Sequence, residues 1–285
     1  MTGLATVTPL GDALARLETR WGSAAVRVGG ASGPRTQAVL ALDGEVPPAA
    51  APEIVDRTLA AGGLASGLPE LDALLGPSGL PRAAAACLRG AGSSGKTTLA
   101  LHWLARAQAQ GAIAAYLDLG RSFDPLEAAS RGVDLRWLLV LRPADADEGF
   151  ALAGALLDGR AVELLVVDLP DRLPVRLDAT LRRLAAHARR AGARLIVLEP
   201  VRLADRLHAA LAEAVGLRLE LEQRGWLRLG RDIVGRRIDV SVAKSRFGPP
   251  GRRAEIEIRY LPEGDLGPTI EPVRTDAPAR AAPAA

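Results

Sequence analysis

The stretch AAACLRGAGSSGKTTLALHW, residues 84–103, decides how the rest of the chain is interpreted. Its first residues are mostly small or apolar, as in a buried β-strand, and the residues after the glycines follow a helical pattern. Between the two, Gly90, Gly95, Lys96 and Thr97 satisfy the G-x-x-x-x-G-K-[ST] spacing of a phosphate-binding loop. That motif requires a strand before it and a helix after it. The sequence therefore predicts a nucleotide-binding α/β domain.

The residues of this loop are suited to hold the phosphates of ATP together with Mg²⁺. Glycines let consecutive backbone N–H groups surround a phosphate, and the following helix adds its positive end. We expect Lys96 to neutralise β- and γ-phosphate oxygens and the Thr97 hydroxyl to bind Mg²⁺. The predicted phosphate-binding set is Gly90, Ala91, Gly92, Ser93, Ser94, Gly95, Lys96, Thr97 and Thr98.

A second predicted magnesium ligand stands at the end of the apolar run VELLVVD, residues 162–168. A carboxylate at the carboxyl end of such a strand can hold a water molecule on Mg²⁺, which gives Asp168 that role. The alternative is an ordinary aspartate that caps a turn.

Apolar runs alternate with helical patterns between residues 64 and 260. Continuous apolar strands separated by helices predict a parallel sheet covered on both faces. Trp103 and Trp137 lie in apolar patterns and are expected in the core. After residue 216 the apolar residues recur with period two, which predicts antiparallel strands that extend the sheet. The predicted strands are 84–90, 112–118, 136–141, 162–168 and 194–200, and the predicted helices lie near 97–109, 125–131, 147–158 and 176–191.

The ends of the chain differ from this core in composition. Residues 1–29 are expected to form a helical arm, 30–63 a linker rich in Gly, Pro and Ala, 64–260 the core and 261–285 a disordered tail. The chain has neither a basic leader followed by an apolar run nor about 18 consecutive apolar residues, so we expect a cytoplasmic protein without membrane contact. Its one cysteine, Cys87, is expected to be buried in a strand. In the arm, residues with helical spacing are Leu10, Leu14, Leu17 and Trp21.

Three long segments, 64–82, 90–125 and 131–143, resemble the core of the bacterial RecA recombinase family. The likeness is collinear and continues through most of residues 3–260. It implies a RecA-like fold, with a mostly parallel central sheet extended by antiparallel strands, and ATP and Mg²⁺ as cofactors. The arm is similar to the N-terminal helix through which RecA protomers polymerise, which implies self-association or contact with RecA.

The resemblance also assigns roles to individual residues. Lys96, Thr97 and Thr98 match the phosphate-binding loop, and Asp168 matches the aspartate of the Walker B strand. Asp124 matches a contact on the adenine side. In RecA a pair of lysines reaches across the protomer interface to the γ-phosphate of the neighbour, and here Lys244 and Arg246 match them. The alternative for these two is a solvated strand end.

The departures from the family pattern fall on catalysis and on DNA binding. Gly120 occupies the position of the glutamate that polarises the attacking water, and Pro200 that of the glutamine that senses the γ-phosphate. Glu127 replaces the aromatic residue at the adenine face. Asp118 or Glu199 could replace the missing carboxylate if either is near the nucleotide. The segments that match the DNA-binding loops are short, and we expect no counterpart of the C-terminal DNA-gathering domain.

Three hypotheses follow from this combination. The first is an ATP-binding accessory protein of the SOS and translesion-synthesis response, similar to the ImuA and SulA-related proteins. It would hydrolyse ATP weakly or not at all, bind DNA weakly or indirectly, and act through contacts with RecA or components of a translesion polymerase. The second is a DNA-dependent ATPase that performs strand exchange, with Arg172, Arg176, Arg202 and Arg206 holding DNA. The third is a nucleotide-stabilised cap on RecA filaments without turnover.

Overall fold

The computed structural model describes residues 63–76 and 79–260, and the backbone of residues 26–28. Within this part of the chain nine strands form one sheet in the order β1-β4-β3-β5-β6-β2-β7-β8-β9. The strands are β1 Val26–Val28, β2 Ala85–Gly90, β3 Ala114–Asp118, β4 Leu138–Leu141, β5 Leu164–Asp168, β6 Arg194–Pro200, β7 Leu217–Leu229, β8 Asp232–Ser245 and β9 Arg253–Arg259.

Six described α-helices cover the two faces of the sheet. They are α1 Pro69–Leu75, α2 Lys96–Ala109, α3 Pro125–Ser130, α4 Ala146–Asp158, α5 Asp178–Ala191 and α6 Asp205–Ala214, and short 3-10 turns span Leu135–Trp137 and Val175–Leu177. The buried residues of α1, α2 and α3 share one apolar core, and those of α4, α5 and α6 share the other. The sheet is therefore covered on both faces, as predicted.

The central strands place the phosphate-binding loop at the carboxyl edge of the sheet. Strands β4, β3, β5, β6, β2 and β7 run parallel to their neighbours. Because parallel strands end at one edge, the loop after β2 and the carboxylates that end β3 and β5 lie on the same side of the molecule. In this register Asp118 lies directly opposite Asp168.

The prediction for the C-terminal strands needs one correction. The first of them, β7, was expected to be antiparallel, but Leu217–Leu221 pair in parallel with Ala86–Gly90 of β2. The reason is that α6 forms a crossover connection, which returns the chain in the same direction. Antiparallel pairing begins between β7 and β8 and continues with β9. The period-two pattern of β7 arises because its second half leaves the core.

The connections after β5 and β6 are short. Residues 169–174 lead from β5 into the Val175–Leu177 turn and α5, and residues 201–204 lead from β6 into α6. At the other edge of the sheet, the backbone of Val26–Val28 pairs antiparallel with Leu139–Leu141 of β4. The predicted helix of the arm, the linker up to residue 62 and the tail from residue 261 lie outside the described residues.

Candidate nucleotide-binding site

The backbone of the phosphate-binding loop depends on two of its glycines. A Cβ atom on Gly90 would lie 2.2 Å from Oγ of Ser94, so no larger residue fits there without a shift. Gly95 caps α2 with φ of 91°, in the left-handed region that favours glycine. A Cβ on Gly92 would meet nothing within 4 Å, so that position is open. The loop is thus closely packed on its sheet side and open on its outer side, as a phosphate cradle requires.

Lys96 and Asp168 influence each other's charge at the inner end of this cradle. Burial lowers the pKa of Lys96, and the charges of Asp168 and Asp171 partly oppose this shift. The Lys96 ammonium donates to the carbonyl oxygens of Gly90 and Ala91, both at 3.3 Å. It is therefore held over the loop, where a phosphate would replace these carbonyls as the acceptor.

Two hydroxyl groups hold the carboxylate of Asp168, and the sequence pattern gave no sign of either. Oδ2 of Asp168 accepts hydrogen bonds from the Tyr116 hydroxyl at 3.0 Å and from Oγ of Ser122 at 2.6 Å. Burial raises the pKa of Asp168, whereas these bonds and the charge of Lys96 lower it. The side chain is fixed in orientation at the strand end, as a ligand of Mg²⁺ or of its water would be.

The end of β3 offers no free carboxylate to the cradle, whereas Asp171, after β5, is exposed and its charge acts on Lys96. Gly120 is exposed, and a Cβ there would meet only Oγ of Ser122, at 3.7 Å. Asp118 is buried and accepts hydrogen bonds from the backbone of Ser122 and Phe123 and from Nε of Arg142 at 3.0 Å. Its carboxylate shapes the loop after β3, which argues against a role as general base.

Glu199 lies on the opposite face of the sheet from α2 and is fully buried, at 0% exposure. Val197, two residues earlier on β6, points to the same face and belongs to the core under α4, α5 and α6. The carboxylate is surrounded by four groups: Nδ1 of His208 at 2.6 Å, Sγ of Cys87 at 2.9 Å, Nη2 of Arg218 at 3.3 Å and Nε of Arg89 at 3.4 Å. We call these five residues the Glu199 cluster. Its placement argues against Glu199 as a substitute for the missing glutamate.

The residues that the resemblance placed near the adenine and at the protomer interface form contacts within this chain. Oδ1 of Asp124 accepts from the backbone N–H groups of Leu126 and Glu127, so it caps α3. Glu127 forms an ion pair with Arg131 at 2.9 Å. Lys244 donates to the carbonyl oxygens of Ala212 and Glu213, and Arg246 donates to that of Glu213, at the end of α6. Cations at a helix C-terminus are stabilising in their own right.

Arg236 and Tyr260 also contact this region, although sequence reasoning did not select them. Arg236 donates to the carbonyl of Ser93 and to Oγ1 of Thr98, and it lies over the ring of Tyr260. One arginine among many carries no signal of its own in the sequence. The contact follows from the position of β8 beside the loop, where Ile238 lies next to Gly95.

The comparisons with known proteins agree with this geometry. Residues 55–202 match the family model described as the RecA N-terminal domain. The chain belongs to the RecA family. It is 32% identical over 226 residues to the protein RecA of Lactiplantibacillus pentosus, which covers 69% of this chain and 60% of that relative. The RecA proteins of Chlorobium limicola and Roseiflexus sp. are each 33% identical, over 227 and 234 residues, and the matches cover 69% and 72% of this chain and 64% and 66% of those proteins.

The RecA family relationship and the mostly parallel sheet confirm the predicted fold class. The chain spans about 60% of the length of the first of these curated relatives. In the part of the chain that the structure describes, no helix is both long and apolar enough to span a bilayer.

Proposed function

We propose that this chain is a RecA-like ATP-binding accessory protein of the DNA damage response that hydrolyses ATP weakly or not at all. It acts in the cytoplasm through contacts with RecA-like protomers or a translesion polymerase. One observation carries the proposal: a complete phosphate cradle with Lys96 and Asp168 stands beside Gly120, where the family has a carboxylate.

The loop and the end of β5 fit ATP and Mg²⁺. Gly90, Gly95 and the start of α2 present backbone N–H groups to phosphate oxygens, Lys96 supplies a positive charge, and Thr97 and Asp168 would hold the metal. The metal would neutralise charge on the β- and γ-phosphates. What position 120 lacks is a side chain that accepts the proton of an attacking water, since it is a glycine.

Both candidate replacements for that group are already committed to other contacts. Asp118 is bound to Arg142 and to two backbone N–H groups. Glu199 is buried on the far face among Arg89, Arg218 and His208. Freeing either carboxylate would break charge-assisted hydrogen bonds, each worth about 1.5–3 kcal/mol.

The surface after β5 and β6 supports weak or absent DNA binding. The connections 169–174 and 201–204 are too short to form long mobile loops. Of the four arginines assigned to DNA in the recombinase hypothesis, two are paired, Arg176 with Asp147 and Arg206 with Asp178, while Arg172 and Arg202 are exposed. A positive charge neutralised in this way adds little to phosphate binding.

The test measures ATP binding and ATP turnover on the same purified samples, with and without single-stranded DNA. The parent is compared with Lys96→Ala, which removes the cation of the cradle, and with Lys244→Ala, which keeps the cradle intact. We expect binding that depends on Lys96 and turnover near background in every sample.

Two results would contradict the proposal. Robust turnover that single-stranded DNA stimulates and Lys96→Ala abolishes would favour the strand-exchange enzyme. Absence of ATP binding by the parent would remove the nucleotide from the function altogether.

A further inference from the structure

Arg236 reaches the phosphate-binding loop from β8, which is not part of the P-loop motif. Its Nη1 donates to the carbonyl of Ser93 at 2.5 Å and its Nη2 to Oγ1 of Thr98 at 3.4 Å. The guanidinium carbon lies 5.9 Å from the ring centre of Tyr260. Nε of Arg236 is buried and has no hydrogen-bond partner among the described residues. A buried donor without a partner is costly, so a ligand acceptor at this place would be favoured.

The loop is under conformational strain where Arg236 touches it. Ser93 has a φ of 62°, a region that a residue with a side chain rarely adopts. The adjacent Oγ of Ser94 is buried and has no partner within the described chain. Such outliers persist only where surrounding contacts hold them. The bond from Arg236 to the Ser93 carbonyl is one of those contacts.

A bound nucleotide would compete with the loop for the donors of Arg236. Phosphate oxygens carry negative charge and accept hydrogen bonds from arginine more strongly than a neutral carbonyl does. The planar guanidinium can also serve two acceptors at once. A bound nucleotide would therefore favour breaking the hydrogen bond from Arg236 to the Ser93 carbonyl.

Arg236 is also tied to the tip of the β7–β8 hairpin, formed by residues 225–234. Trp226 lies directly across from Arg236 in the strand register. The tip extends past the last paired residue of β9, since Arg259 pairs with Gly235. Trp226 is 47% exposed, Leu229 39% and Ile233 45%. A movement of Arg236 would thus change the surroundings of an exposed tryptophan at the base of this tip.

We propose that Arg236 is a nucleotide-sensing residue, which exchanges its bonds to the phosphate loop for bonds to the bound nucleotide and transmits this change to the hairpin tip. The inference rests on the proposed function, because it requires a nucleotide at the loop. The inference adds a nucleotide-binding residue from outside the P-loop motif. It also adds a route by which nucleotide binding changes the surface of the hairpin tip.

The test titrates the full chain with ADP and Mg²⁺, measuring affinity by calorimetry and tryptophan emission in parallel. Trp226→Phe identifies the part of the emission that belongs to Trp226. Arg236→Met keeps the aliphatic stem but removes every donor. The matched control is Arg237→Met, because Arg237 is the next residue on β8 and pairs at the surface with Glu257 at 3.0 Å.

We expect the parent and Arg237→Met to show the same affinity and the same change in Trp226 emission. Trp226→Phe should lose the change and keep the affinity. Arg236→Met should bind ADP about tenfold more weakly, the loss of one hydrogen bond to a charged group. It should also show no change in Trp226 emission when saturated with ADP, which a merely structural role of Arg236 would not produce.

Two outcomes overturn the inference, and they are distinguishable. If the parent binds ADP and Arg236→Met matches it either in affinity or in the change of emission, Arg236 is not a sensor and the proposed function stands. If the parent binds no ADP, the inference fails, and the proposed function fails with it if ATP is not bound either. Should Arg236→Met not fold, Arg236→Gln, which can still donate to the Ser93 carbonyl but carries no charge, is judged by the same two outcomes.

Discussion

Replacing Glu199 by glutamine tests how the Glu199 cluster holds the sheet together. The carboxylate is fully buried, and it faces the side chain of Arg218, which is only 6% exposed, at 3.3 Å. Nη1 of Arg218 is itself buried and has no hydrogen-bond partner within the described residues. Glu199→Gln therefore leaves a buried guanidinium without its main counterion. Removing one partner of a buried pair costs about 3–5 kcal/mol. Because glutamine still accepts hydrogen bonds, we expect the free energy of unfolding to fall by about 3 kcal/mol, the lower end of that range.

The chain contains a matched control on the same arginine. Glu220 lies 3.7 Å from Nε of Arg218, but its side chain is 47% exposed. An exposed pair is worth about 0–1 kcal/mol, so Glu220→Gln should stay within about 1 kcal/mol of the parent. Urea unfolding followed by far-UV circular dichroism measures both variants, and the slopes with urea should agree.

A double variant separates the charge effect from the packing effect. If the loss in Glu199→Gln comes from the unpaired cation, adding Arg218→Met should recover part of it, so the two changes will not be additive. The reasoning is refuted if Glu199→Gln is as stable as Glu220→Gln, or if Arg218→Met adds its full cost on top of Glu199→Gln.

Three further predictions follow from the site. Gly120→Glu should raise ATP turnover about a hundredfold by restoring a general base, whereas Gly120→Gln, of equal size, should leave it at the level of the parent; equal rates in the two variants would show that the missing carboxylate is not the cause. The thiol of Cys87 should resist Ellman's reagent at pH 8 in the folded chain and react on unfolding, because burial raises its pKa well above the usual value; rapid labelling under native conditions would contradict the burial. Burial also raises the pKa of Asp168. A carboxyl group whose pKa is higher in the folded chain stabilises the fold at pH values below its unfolded pKa, near 3.8. This stabilisation is lost as the pH rises through the folded pKa. Asp168→Asn should therefore gain stability relative to the parent as the pH rises above about 4, and thermal melts in which the difference stays constant or falls would refute this.

The elements of the fold could be predicted from sequence because their signals are local. The run 194–200 is β6 to the residue, and the loop motif stands between a strand and a helix as required. Trp103, predicted in the core, is fully buried, but the same prediction for Trp137 was wrong, since this residue is 42% exposed. Trp137 belongs to the 3-10 turn before β4, near the edge of the sheet. An apolar pattern does not distinguish a central strand from the approach to an outer one.

The direction of β7 and the face on which Glu199 lies were harder to predict from the sequence. The direction of a strand depends on the connection before it, and period-two alternation is silent about that. The position of Glu199 could have been found by counting. Side chains alternate across a strand, so Glu199 shares a face with Val197 and is opposite Leu198. Counting does not identify the ion-pair partner of Glu199. Arg218 lies on β7, which reaches β2 only through the crossover of α6.

The same alternation explains why the lost carboxylate has not been replaced. At the ends of β3 and β5, Asp118 and Asp168 share the face of Tyr116 and Val166, beneath α2. One holds the loop after β3 through Arg142, and the other is held by Tyr116 and Ser122 for the metal. At the end of β6 the alternation turns Glu199 to the far face and leaves Pro200, which offers neither a side-chain amide nor a backbone N–H. A new general base therefore cannot arise by a rotation of these side chains. A substitution at the exposed Gly120 would restore a carboxylate at the position where the family has one. That single change is therefore expected to distinguish a chain that has lost one group from a chain that no longer positions water at all.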